Sequence, residues 1–147
     1  MNAPVFALIL TAIAGGAVAL QTPINAALGR NIGSGLAAAT ISFGIGFLTL
    51  LLISLLTGQG SALSRLTAAP PALLIGGALG AFYVWTALWA ISSLGALTTV
   101  TALILGQLSA ALLLDATGLF GLMVQPISPA RIAAAVLVTG GVVLSRF

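Results

Sequence analysis

The sequence predicts an all-α, polytopic membrane protein with five transmembrane helices, pairing as an antiparallel (inverted) dimer of ten. Three observations point there. Of 147 residues, 61% are hydrophobic, and the mean hydropathy is +1.30. Only 3% are charged, four arginines and one aspartate, where soluble domains carry about 25%. The apolar residues also fall into runs close to the roughly 20 residues a helix needs to cross the hydrocarbon core. Intrinsic disorder is excluded, because it requires low hydrophobicity and high charge. Nucleic-acid binding is excluded as well, since Arg30, Arg65, Arg131 and Arg146 are spread singly rather than clustered. With no Cys, His, Lys or Glu, the chain offers no thiol nucleophile, imidazole base or soft metal site. One carboxylate makes no acid–base pair. Neither enzymatic activity nor a cofactor nor a metal is expected.

Residues 1–147 read as a single transmembrane domain. The first span covers about 3–28, an apolar half followed by the polar interruption Gln21-Thr22-Pro23-Ile24-Asn25. A Gly-rich turn, Gly29 to Gly35, carries Arg30. The second span, 36–56, leaves through the polar segment Thr57-Gly58-Gln59-Gly60-Ser61. Pro70-Pro71 opens the third, 71–91, because proline is tolerated in a first helical turn. Ser92-Ser93-Leu94-Gly95 reads as a tight turn. The fourth span, 96–114, stops at Asp115; a connection to Ser128 precedes Pro129 and the fifth, 130–145. Ala17-Val18-Ala19 resembles a signal-peptide cleavage site, but Met1-Asn2-Ala3-Pro4 lacks the basic region such peptides need. The first span is therefore expected to be retained.

Orientation follows the distribution of basic residues in the loops. Five spans place Arg65 and Arg131 on the amino-terminal side and Arg30 and Arg146 on the other. Two against two favours neither orientation, so insertion both ways up is expected. An odd span count gives each copy termini on opposite faces. An inverted copy then supplies the second half of the inverted-repeat arrangement used by alternating-access transporters. A homodimer is the first expectation; a single-topology protein oriented by another feature, such as the free amino terminus, is the alternative, and a heterodimer with an oppositely biased paralogue a weaker variant.

Several stretches are distinctive: Gly16 to Arg30 (GAVALQTPINAALGR), Ile41-Ser42-Phe43-Gly44-Ile45-Gly46, Gly76 to Val84 (GGALGAFYV) and Leu94-Gly95-Ala96. Gly106-Gln107-Leu108, Asp115 with Gly118-Leu119-Phe120-Gly121, and Pro126-Ile127-Ser128-Pro129-Ala130-Arg131 complete the set. On these the chain resembles, over essentially its whole length, the YdcZ-like family of the drug/metabolite transporter superfamily, five-span proteins of the bacterial inner membrane. The resemblance implies small-molecule transport and a multi-pass inner-membrane location, without naming a substrate. Two departures stand out. Ser92-Ser93 stands where relatives tend to carry Pro-Arg, and Ala116-Thr117 where an aromatic-rich pair often follows the aspartate. The first removes a basic residue and is what balances the arginine count.

Polar residues are expensive in lipid, so each is a site candidate. Gln21 and Asn25, four apart, share a helix face, and Pro23 between them is expected to break the helix. Gln107 lies near the centre of the fourth span, with Ser109, Thr99 and Thr101 nearby; threonine, however, can return its hydroxyl to its own helix. Tyr83 and Trp85 sit deep in the third span, and Trp89 nearer an interface. Gln21, Asn25, Tyr83, Trp85 and Gln107 are the expected substrate-binding set; packing between helices, or lipid contact for the aromatics, is the alternative. Gly44, Gly76 and Gly80 read as helix-packing positions. Asp115 reads as a structural cap or partner of Arg131, with a coupling role as the alternative. The expected function is small-molecule transport by alternating access, with itself, the bilayer and a solute as partners. A channel and an assembly subunit are the rival readings.

Overall fold

The computed structural model describes residues 2–147, and among them every regular element is helical. Helix α1 spans Ala3–Ile32 and α2 Gly35–Leu56. After the short α3, Gly60–Leu63, come two 3-10 turns, Ser64–Ala68 and Pro71–Leu74. Helix α4 covers Ile75–Thr117, a 3-10 turn Leu119–Gly121 follows, and α5 covers Pro129–Leu144. Three stretches, Ala3–Ile32, Gly35–Leu56 and Pro71–Thr117, are long and apolar enough to cross a membrane, and Pro129–Leu144 is a shorter apolar helix. At 1.5 Å per residue α4 corresponds to about 65 Å of helix, twice a hydrocarbon core of roughly 30 Å. Gly95 (φ 75°, ψ 171°) interrupts it, leaving two lengths, 75–94 and 96–117, each suited to one crossing. Five apolar helical lengths result.

The boundaries differ from the sequence reading in instructive places. Helix α1 runs unbroken through Pro23 to Ile32 rather than breaking there or ending at 28. Proline removes one backbone donor, but the rest of a 30-residue helix holds its course, and Thr22 Oγ1 donates to the Val18 carbonyl (3.3 Å) in the affected turn. The expected seven-residue turn shrinks to Gly33 and Ser34. Gly33 takes the left-handed conformation (φ 75°) that ends a helix, and the Ser34 hydroxyl accepts from Ala37 N–H (3.1 Å) to start the next. Of Ser92-Ser93-Leu94-Gly95, only Gly95 leaves helical geometry. The third span opens with a 3-10 turn at Pro71, and α-helix begins at Ile75.

The chain divides into two compact units, Met1–Trp89 and Ala90–Phe147. In the first, α1 and α2 form a hairpin. Its backbones approach so closely at the turn that a Cβ on Gly29 would lie 3.1 Å from Gly35 Cα. In the second, the length 96–117 and α5 are tied at both ends. Thr98 Oγ1 donates to the Ser145 carbonyl (2.8 Å) near one end, and Arg131 pairs with Asp115 (3.0 Å) near the other. The helices therefore run antiparallel. The buried hydrophobic residues are few and small: Ala38, Ala39, Ala87, Leu88 and Ala90. Most large apolar side chains point outwards, so the hydrophobic solvent of these helices is the bilayer or another chain rather than an interior core.

Candidate functional site

In the first unit the site is built around one hydroxyl. Gln21 and Asn25, one turn apart on α1, both reach Ser42 on α2: Gln21 Nε2 donates to Ser42 Oγ at 3.2 Å, and Asn25 Nδ2 to the same oxygen at 3.0 Å. Asn25 is buried, Ser42 half-buried and Gln21 exposed. Most hydroxyls in these helices bond back to a carbonyl three or four residues earlier, as Thr40, Thr49, Thr101 and Ser109 do. Ser42 instead bonds across the hairpin. Counting from the Gly33–Ser34 turn, Ser42 lies about 12 Å along its helix and Gln21 about 18 Å. Beside this cluster a groove of about 360 Å³ runs along α2, lined by Gln21, Ser42, Phe43, Gly46, Phe47 and Leu50. It is an apolar trough with a polar end and no ionisable lining group.

The other expected site residues fall elsewhere. Tyr83, half-buried, and Trp85, exposed, are absent from the lining of that groove. Gln107 lies in the second unit, exposed and without a hydrogen-bond partner among the described residues. The polar stripe expected around it is satisfied internally, since Thr99, Thr101 and Ser109 each donate to their own helix. A Cβ on Gly44 or Gly76 would meet nothing within 4 Å among the described residues, so neither marks a close helix contact there, whereas one on Gly80 would touch the Phe43 ring at 3.6 Å. Ser42 was the residue missed. Its signal was its position in the distinctive Ile41–Gly46 stretch, masked by the tendency of helical serines to bond to their own backbone. Thr86 carries a buried hydroxyl with no partner, alone in this among the described side chains.

The second unit holds the charged cluster. Arg131 Nη1 donates to Asp115 Oδ2 at 3.0 Å, and Nη2 to Gln125 Oε1 at 2.6 Å. Both partners of the ion pair are about a third exposed, 31% for Arg131 and 39% for Asp115. Arg131 sits in the first turn of α5, where the helix dipole opposes a cation, so the carboxylate offsets both that dipole and the guanidinium charge. The connecting loop is pinned by Gln125 N–H donating to the Asp115 carbonyl (2.8 Å) and by Gly118 (φ 64°), where a Cβ would lie 2.6 Å from Val124 Cγ2. A second hollow of about 210 Å³ is lined by this pair and by Leu108, Ala111, Leu112 and Ala134.

With five apolar helical lengths and a polar cluster deep within one hairpin, comparison with known families becomes decisive. A family model described as "Putative inner membrane exporter, YdcZ" matches residues 6–144. The chain belongs to the YdcZ family. That description is of a transport family in the inner membrane, not of an enzyme. The match spans both units, so the hairpin cluster and the Asp115–Arg131 pair both lie within the YdcZ homology. No curated protein and no solved structure matches the chain significantly.

Proposed function

We propose that this YdcZ protein is a small-molecule carrier of the bacterial inner membrane, working by alternating access as an antiparallel homodimer. The observation that carries the reading is the Gln21–Ser42–Asn25 cluster opening onto an apolar groove. A polar group at membrane depth is costly, and a cluster of three beside a cavity is how a lipid-immersed protein offers a solute its contacts. The family's exporter description agrees with it. The balanced arginines, two on each side, support insertion in both orientations, and an inverted pair supplies the two related halves that alternating access requires. In such a pair Gln21, Asn25 and Ser42 occur twice about a two-fold axis. Gln107, Tyr83 and Trp85, which do not line that groove, are proposed as further solute contacts made in the assembled pair, and Gly44 and Gly76 as contacts between copies. Asp115 holds the end of α5 through Arg131.

Counterflow into proteoliposomes tests the carrier. A screened solute that stabilises the protein thermally should show saturable counterflow, reduced at least tenfold by Gln21→Ala with dimer assembly retained. Full flux in that variant contradicts the assignment, and non-saturable flux indicates a pore. Reporter fusions at the carboxyl terminus test the topology: signal from both faces is expected, and signal from one face alone rules out dual insertion.

A further inference from the structure

We infer that the α1–α2 groove selects uncharged solutes whose polar head both donates and accepts hydrogen bonds, such as a primary carboxamide, joined to a small apolar or aromatic body. The inference rests on the groove being the carrier's solute site and adds the class of solute.

The head is specified by what the cluster leaves unused. Ser42 Oγ receives an N–H from each amide, which fills its acceptor capacity and leaves its own O–H to donate. Each amide keeps a carbonyl oxygen and a second N–H. Turning one amide so that its carbonyl faces Ser42 uses the O–H but frees both N–H groups of that amide, so donors remain in either orientation. One hydroxyl has one hydrogen, so at most one of the two carbonyls can face it, and at least one is turned away. The free capacity is thus of both kinds. Gln21 and Ser42 carry it into the groove itself. A head that only accepts, or only donates, leaves part of this set unpaired in lipid, where an unmade hydrogen bond is most costly.

The charge of the ligand is specified by the walls. Phe43, Gly46, Phe47 and Leu50 complete the lining, and none is ionisable. The charged residues of this unit, Arg30 and Arg65, do not line it either. An ammonium or carboxylate entering the groove would give up its hydration without gaining a counter-charge, the least favourable exchange a membrane offers. A neutral head gives up far less. The apolar side chains of Phe43, Phe47 and Leu50 then take the apolar body, and a Cβ on Gly46 would meet nothing within 4 Å.

Three probes of one shape separate the possibilities: phenylacetamide, phenylacetate and 2-phenylethylammonium. Equilibrium dialysis against the full-length protein in nanodiscs, with empty nanodiscs subtracted, measures saturable binding of each. The inference predicts that phenylacetamide binds at least tenfold more tightly than either ion, and that Ser42→Ala lowers its affinity at least tenfold. Gln21→Glu, which places a carboxylate at the polar end, should reverse the order in favour of 2-phenylethylammonium, a gain of function that misfolding cannot mimic. Binding of an ion as tight as that of the amide overturns the neutral class, as does a Gln21→Glu protein whose preference is unchanged. Saturable counterflow of some other solute, with no phenylacetamide binding, overturns the inference while leaving the carrier intact.

Discussion

The two polar clusters of this chain lie at different positions along their helices and are built from different chemistry. In the α1–α2 hairpin three neutral side chains meet between the helices, away from their ends, held by hydrogen bonds of 3.0 and 3.2 Å. In the second unit an ion pair joins the end of the length 96–117 to the start of α5. Membrane electrostatics accounts for the division. A charged side chain at the bilayer centre costs about 2.5–3.5 kcal/mol even by insertion measurements, whereas an amide in hydrocarbon needs only a partner. Charges therefore gather at helix ends, where they cap and fasten. Neutral amides can remain within a span, provided that they find a partner. On the proposed reading, the first cluster serves binding and the second architecture.

The largest test of that assignment is Gly118→Ala. It places a Cβ at φ 64°, 2.6 Å from Val124 Cγ2 and 3.0 Å from the Leu122 carbonyl oxygen, and should destabilise the protein by about 2–4 kcal/mol. Denaturant unfolding in mixed micelles measures it, and wild-type stability would show that the loop does not hold the helix ends. Next is Thr86→Val, a near-isosteric change that removes a buried hydroxyl lacking a partner; it should gain about 1 kcal/mol in the same assay. A loss there would mean that the hydroxyl is used. The smallest effect is expected from Asp115→Asn. A pair about a third exposed is screened, so its removal should cost at most about 1 kcal/mol, and less at high salt. A salt-independent loss of several kcal/mol would make the pair a buried element and weaken the contrast.

Much of this arrangement was legible in the sequence, and the parts that were not have physical reasons. Span number and order follow from hydropathy, because length and apolarity are what a bilayer demands. Gln21 and Asn25 stand out because amides are rare in such runs. Their shared partner did not, because a serine in an apolar helix ordinarily bonds its own backbone and carries no outward sign of bonding across a hairpin. Pro23 signalled a break that the long helix absorbs. Gly95 looked like part of a four-residue turn, yet a single residue with φ 75° suffices to interrupt the helix. Gln125 was hidden in a connection whose fold depends on Gly118 and a backbone bond to Asp115. Local propensity does not encode that closure.

On the proposed reading, transport depends on the neutral cluster and not on the ion pair. Counterflow through Ser42→Ala and Asp115→Asn proteins, side by side in proteoliposomes of equal protein content, tests it most directly. Ser42→Ala should lose at least nine-tenths of the saturable flux while Asp115→Asn stays within twofold of wild type. The reverse pattern, with flux lost in Asp115→Asn and retained in Ser42→Ala, would contradict it.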